Sequence, residues 1–286
     1  MKLLEVIAQG AIQGITEFLP ISSSGHLAII QHFLKIKENN LFFNVALHLG
    51  TLISVMIVYY KLIFKIFISF FTIPKKILKG EQKNSGEKIF LNIIVSLLPL
   101  FLLLVPIPGI KNLRNLAAKF ANAERIYIVG ISLVATSILL CLGILLSKIS
   151  EKRKYFSHKN IDEINFKDSF LVGIAQFLAA VFPGLSRSGS TLSFGLLRNI
   201  GRESAIDFSF IIGIPAIVAA AIFEFKTARE LNLKFEIFSI SIGVITSAIV
   251  GLFAIKLFKW LLINDKTWIF IIYTFVVGTF LILAKL

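Results

Sequence analysis

Six stretches of this chain stay apolar for about 20 residues, the length an α-helix needs to cross the hydrocarbon core of a bilayer. They are Leu41–Tyr60, Ile89–Pro108, Ile126–Ser147, Ala205–Phe225, Ile237–Leu257 and Trp268–Leu286. A soluble domain of 286 residues has no interior large enough to hide so much apolar surface, and 56% of the chain is hydrophobic. The class is therefore a polytopic, all-α membrane protein in a single integral-membrane domain, residues 1–286.

The net charge of +14 does not point to nucleic acid, because the Lys and Arg residues fall in short segments between the apolar runs. That is a topology signal and an attraction to anionic lipid heads. Cys141, the one cysteine, lies inside an apolar run and reads as a buried small residue rather than a metal ligand or disulfide partner. The N-terminal "MKLLEVIAQGAIQG" carries Glu5 and leads directly into polar sequence, so it reads as part of the fold rather than as a cleaved signal.

Two further apolar segments, Leu3–Leu34 and Phe170–Ile200, are interrupted by polar islands: "TEFLPISSSGHL" from Thr16 and "FPGLSRSGSTL" from Phe182. Pro20 and Gly25 break the first, and Pro183 and Gly189 the second. Broken helices at membrane depth are tolerated only where the irregular backbone is buried or lines a wet cavity, so both segments read as re-entrant helical hairpins. They also resemble each other. "GAIQ" at Gly10 matches "GIAQ" at Gly173, Pro follows the Gln by seven positions in both, and "SSSG" answers "SRSG". Three spanning runs follow each hairpin. The chain thus reads as two copies of one unit, residues 1–150 and 151–286, and an odd number of spans makes the copies inverted. With the first hairpin starting outside, sixteen Lys and Arg lie in the inside loops (Lys61 to Lys88, Lys148 to Lys167, Lys256 to Lys266). Seven lie in the outside loops, Lys111, Arg114, Lys119, Arg125, Lys226, Arg229 and Lys234, as the positive-inside rule requires. Hairpins entering from opposite faces would bring the two islands together.

The islands hold a coherent set of groups. Gln13 and Glu17, four apart, share one helix face. Ser22, Ser23, Ser24 and Gly25 form a small-residue turn, and His26 opens the next half-helix, whose N-terminus suits an anion. His26 is a candidate general base or nucleophile, and the serines are candidate donors or nucleophiles. Glu17 is suited to bind a hard divalent cation, Mg²⁺ or Ca²⁺, or to orient His26. In the second island Arg187 offers a planar fork for phosphate oxygens, flanked by Ser186, Ser188, Ser190 and Thr191. Donors facing an anion, with a carboxylate to place a cation beside it, fit a phosphate ester or pyrophosphate. A serine in a membrane helix as often only bonds a backbone carbonyl. Ionisable groups at that depth cost about 3 kcal/mol or more each, so Glu17, His26 and Arg187 call for a functional account. His48, with no polar company in "VALHLGTL", reads as a packing residue, as does His32. Asp207 reads as facing the site or the interface, and Glu224 as snorkelling. The run from Lys61 to Lys88 reads as an inside loop.

"QGITEFLPISSSGHL" together with "PGLSRSGST" resembles the undecaprenyl-pyrophosphate phosphatases, also called the bacitracin-resistance protein family, and the resemblance extends over essentially the whole chain. It implies a phosphatase of the bacterial plasma membrane with its site opening to the outer face. Such an enzyme hydrolyses undecaprenyl diphosphate to undecaprenyl phosphate and phosphate, recycling the carrier lipid of peptidoglycan synthesis. It implies a divalent cation, Mg²⁺ or Ca²⁺, held at Glu17. Catalysis would fall to Glu17, Ser23, His26 and Arg187, with Ser23 activated by His26 or His26 itself as nucleophile. Substrate binding would fall to Gln13, Ser22, Ser24, Ser186, Ser188 and Thr191. Where some members carry Glu, this chain has Gln13, which shifts acid/base and metal work to Glu17. The partners implied are the polyprenyl diphosphate and membrane lipid, with no nucleic acid, and a homodimer is the assembly considered. The alternative is a secondary transporter or flippase for a lipid phosphate or other anion, since inverted repeats with broken helices define that class. The lipid-phosphate phosphatases are a more distant rival, because their Arg-Pro element is absent from this chain.

Overall fold

The computed structural model describes residues 3–33, 41–79, 82–106, 126–152, 158–230 and 237–284. Lys111, Arg114, Lys119, Arg125, Arg153, Lys154 and Lys234, expected in loops, lie outside them. Eleven α-helices account for nearly all of the described residues. The first half holds α1 (Leu3–Phe18), α2 (Ser23–Phe33), α3 (Leu41–Val58), α4 (Tyr60–Lys79), α5 (Ser85–Leu97) and α6 (Ile126–Lys152). The second holds α7 (Phe166–Val181), α8 (Arg187–Leu197), α9 (Arg202–Glu230), α10 (Ile237–Ile263) and α11 (Trp268–Leu283). Pro99 cannot donate into a helical ladder, and there α5 tightens into a 3-10 stretch, Leu98–Leu104.

Among the described residues, four segments are long and apolar enough to cross a membrane: Ser85–Leu104, Ile126–Glu151, Arg202–Ile222 and Ile237–Ile263. A fifth candidate, α3 with α4, is bent by 89° at Tyr59, and α11 is a shorter apolar helix. The chain is a multi-pass helical membrane protein.

The run from Lys61 to Lys88 departs from the expected loop, because most of it is α4. Its residues follow a helical period with three faces. Ser69 and Ile73 are buried, Tyr60, Phe64, Phe67 and Phe71 are exposed, and lysines line the third. Lys76 Nζ and Thr72 Oγ1 both bind the buried carboxylate of Glu87, at 3.2 and 2.8 Å. Glu87 also completes a capping box with Asn84 at the start of α5.

Both broken segments double back. In the first, Gln31 on α2 donates to Gln9 on α1 at 3.0 Å, so the two legs lie side by side. The reversal uses Pro20 and a positive backbone angle at Ser22 (φ 73°). In the second, Gly184 reverses the chain (φ 85°) after Pro183. The base of that hairpin is clamped by one buried carboxylate. Asp168 Oδ2 accepts from Lys159 Nζ at 2.6 Å and Oδ1 from Arg198 Nε at 2.8 Å, joining the start of α7 to the end of α8.

Helices approach closely where residues are small. Gly10 and Gly14 of α1 lie against Gly243, Thr246 and Ser247 of α10, Gly173 of α7 lies against Ser96 of α5, and Gly130 of α6 faces Gly278 of α11. Beneath the hairpin tips, a chain of rings runs from Phe18 through Phe210 and Phe258 to Phe270. This apolar floor supports the first hairpin where α1 ends. At the loop beyond α10, the hydrogen bond from Arg202 holds the Asp265 carboxyl below its ordinary pKa, with Lys148 assisting.

Asp168→Ala leaves two cations without their carboxylate. The expected loss is about 3 kcal/mol, the low end for a broken buried pair, because Lys159 and Arg198 keep contact with water. Thermal unfolding of the purified protein in detergent measures it.

Candidate functional site

Glu17 is the next-to-last residue of α1 and Ser23 the first of α2, so the turn between them fixes their separation. The Ser22 hydroxyl accepts from Gly25 N at 3.2 Å, closing the start of α2. The second hairpin repeats the device: Ser186 caps α8 by accepting from Gly189 N at 3.1 Å, and Arg187 is the first helical residue. The tips touch, for Ser188 Oγ donates to Leu19 O at 3.2 Å. Two helix N-termini, each with unpaired N–H groups, therefore meet at one place.

Glu17 is the hub, 6% exposed. Its Oε1 accepts from Arg187 Nη2 at 2.6 Å. Its Oε2 accepts from Ser23 Oγ at 2.7 Å and from Gln13 Nε2 at 2.9 Å, and His48 Nδ1 lies 3.1 Å away. An acid from one hairpin thus pairs with a base from the other, 170 residues later. Unpaired, each charge would cost about 3 kcal/mol at bilayer depth.

The guanidinium of Arg187 is held in a fitted notch. Nη1 donates to Ser209 O at 3.4 Å, and it occupies the space a side chain at Gly213 would need. Thr191 Oγ1 donates to Arg187 O at 2.8 Å and lies 2.5 Å from the Ser209 hydroxyl, so it acts behind Arg187 rather than in the open site. Thr136 Oγ1 accepts from Ser186 N at 3.1 Å and holds the second turn against α6.

These groups line a cavity of about 210 Å³. Its polar wall is Glu17, Ser22, Ser23, Ser24, His48, Ser186, Arg187 and Ser188, and its remaining wall is apolar, including Val45, Leu185 and Ile217. One charged headgroup with an apolar tail fits that division. The Ser186 and Ser188 hydroxyls lie 3.3 Å apart and those of Ser22 and Ser24 3.4 Å apart, two pairs of adjacent hydroxyls.

The structure thus brings Gln13, Glu17, Ser22, Ser23, Ser24, Ser186, Arg187 and Ser188 together. It places His26 elsewhere. Nδ1 lies 2.8 Å from Ser22 O and Nε2 2.7 Å from Tyr273 OH, and the ring stacks on Tyr273 of α11. His26 therefore braces the reversed backbone at Ser22 instead of facing Ser23. The packing role read for His48 is corrected: its ring lines the cavity beside Glu17. Asp207 does not line the cavity: it binds Tyr59 OH at 2.6 Å and Lys259 Nζ at 2.7 Å. Sequence reasoning missed Ser209, Gly213 and Thr136 as well, because they reach the site from α9 and α6, outside both hairpins.

No group of three or more His, Cys, Asp or Glu suited to a metal occurs among the described residues. The donors present are Glu17, the surrounding hydroxyls, and Gln13 Oε1, which is buried and has no hydrogen-bond partner among the described residues. A hard cation that takes most of its ligands from phosphate and water fits this oxygen set.

Fold and site together define a helical membrane protein whose two hairpin tips build a buried polar site of carboxylate, guanidinium and hydroxyl groups. The family described as "Bacitracin resistance protein BacA" matches residues 6–280, and the chain belongs to it. It is 38% identical to the undecaprenyl-diphosphatase of Alkaliphilus metalliredigens over the full length of both chains. It is 34% identical to that of Halothermothrix orenii, covering 99% of this chain and 98% of the relative. With that of Treponema denticola it shares 34% identity over 97% of this chain and 96% of the relative.

Gly213→Ala would place a Cβ 2.1 Å from Arg187 Nη1, so the guanidinium must leave its notch. The expected loss is about 1–3 kcal/mol of stability. In an Arg187→Ala background the same substitution should cost far less, a non-additivity that thermal unfolding of the four proteins measures.

Proposed function

We propose that this protein is an undecaprenyl-diphosphatase: it removes the terminal phosphate of undecaprenyl diphosphate and returns undecaprenyl phosphate to peptidoglycan synthesis. The single observation that carries this reading is the Ser23–Glu17–Arg187 chain across the two hairpin tips, a hydroxyl on a carboxylate beside a fork for phosphate. The names of the full-length relatives agree with it.

In this reading the pyrophosphate lies against Arg187, the Ser186 and Ser188 hydroxyls and the N-termini of α2 and α8, which neutralise its oxygens. Ser23 Oγ attacks the terminal phosphorus and its proton passes to Glu17 Oε2, 2.7 Å away. The bond from that phosphorus to the bridging oxygen breaks, and the polyprenyl phosphate leaves with the electron pair. Water then attacks the phosphoserine, the bond from phosphorus to Ser23 Oγ breaks, Oγ regains its proton from Glu17, and phosphate leaves with the protons of the water. Glu17 and Gln13 Oε1 would hold Mg²⁺ or Ca²⁺, which supplies further charge neutralisation on the phosphate oxygens. His26 holds the Ser22–Ser24 turn through Ser22 O and Tyr273. The prenyl chain lies along the apolar wall.

The finer architecture belongs to the same proposal: six crossings and two re-entrant hairpins in an inverted repeat, residues 1–150 and 151–286. Reciprocal packing supports it. α1 of the first half lies on α10 of the second, and α7 of the second on α5 of the first. Each hairpin also has its two legs side by side. The Lys-rich segments then face the cytoplasm, and the cavity opens to the outer face of the plasma membrane. A transporter is disfavoured, because binding alone does not require a hydroxyl aimed at a carboxylate.

Detergent-purified protein should release phosphate from farnesyl diphosphate with Mg²⁺ or Ca²⁺ and lose that activity in chelator. Glu17→Ala and Arg187→Ala should each lower kcat/KM by about 10²–10³-fold. Labelled terminal phosphate, trapped by rapid quench, should appear as acid-stable phosphoserine that is absent in Ser23→Ala. An acid-labile adduct would move the nucleophile to a histidine.

A further inference from the structure

The His48 ring sits where a packing histidine has no reason to be. It projects from α3, which belongs to neither hairpin, and 29% of its side chain is exposed where it lines the cavity. Nδ1 lies 2.7 Å from Gln13 Nε2 and 3.1 Å from Glu17 Oε2, and those two atoms are 2.9 Å apart. The three groups close a triangle around the oxygen that also receives Ser23.

Each of the other contacts leaves a degree of freedom open. Gln13 is one helical turn before Glu17 on α1 and moves with it. Ser23 is tied to Glu17 through the turn, and Arg187 grips only the other oxygen. His48 alone of the four is a rigid ring on a separate, well-packed helix. Thr51 Oγ1 bonds His48 O at 2.8 Å, and Gly50 and Leu47 on either side meet α10. It can therefore fix the rotation of the carboxylate against the protein frame.

We propose that His48 is a positioning residue of the site: its Nδ1 accepts from the Gln13 amide, and that amide, held so, donates to Glu17 Oε2 and keeps this oxygen on the Ser23 hydroxyl. This rests on the phosphatase reading above. Losing an orientation restraint next to the nucleophile lowers turnover, while substrate binding, carried by Arg187 and the serine turns, is retained.

The test compares His48→Ala, His48→Asn and His48→Gln in phosphate release from farnesyl diphosphate, beside wild type. An Asn amide reaches the position of Nδ1, and a Gln amide that of Nε2. His48→Ala should lower kcat about 10- to 100-fold with KM within about twofold. His48→Asn should recover most of kcat, and His48→Gln should not. Unchanged kcat in His48→Ala overturns the proposal. Recovery by Gln and not by Asn also overturns it, by placing the working atom at Nε2. If His48→Ala fails to elute as a folded species in detergent, the Asn and Gln pair decides alone. An inactive wild type would instead reject the phosphatase reading itself.

Discussion

The bond between Glu17 and Arg187 organises this protein. A buried carboxylate and a guanidinium are each too costly to leave alone, and they come from hairpins 170 residues apart in the chain. Their pairing requires both hairpin tips at one level, in contact, with both half-helices starting there. The Ser188–Leu19 bond, the Gly213 notch and the aromatic floor under Phe18 follow from keeping that geometry. A buried ion pair is weak evidence of net stabilisation, since well-packed apolar residues often do better. In the phosphatase reading its place here is accounted for by the anion site it builds.

The two halves divide the chemistry. The middle residue of the first turn is Ser23 and of the second Arg187, and each begins its half-helix. Ala180 stands four residues after Gln176, where Glu17 stands four after Gln13. One hairpin thus brings acid and hydroxyl, and the other brings the cation. Each hairpin supplies a helix N-terminus, and the different residues that begin the two half-helices make them complementary. Gln176, with no carboxylate beside it, is buried with both amide atoms unpartnered among the described residues.

Much of this was legible in the sequence for physical reasons. A bilayer demands long apolar runs, and Pro and Gly within them must mark breaks. Charged residues placed there must also meet. Those constraints gave the helical, multi-pass class and marked the two broken segments whose polar islands meet at Glu17 and Arg187. What failed required tertiary packing. His48 follows Glu17 by 31 residues and has apolar neighbours in sequence, so nothing local marks it; only the packing of α3 beside α1 brings it to the carboxylate. His26 looked like the partner of Ser23 because they are three apart. Yet the turn at Ser22 directs Ser23 to Glu17 and His26 to Tyr273. The lysines of α4 suggested a loop, although their spacing follows a helix with one face on the core and one exposed.

The most direct test of the central claim is a double-mutant cycle between the hairpins, Glu17→Gln and Arg187→Gln, read as kcat/KM for phosphate release. If the two side chains act as one unit, the double variant falls no further than the worse single variant, within about threefold. If the losses multiply instead, the two hairpins act independently and the site is not the shared one described.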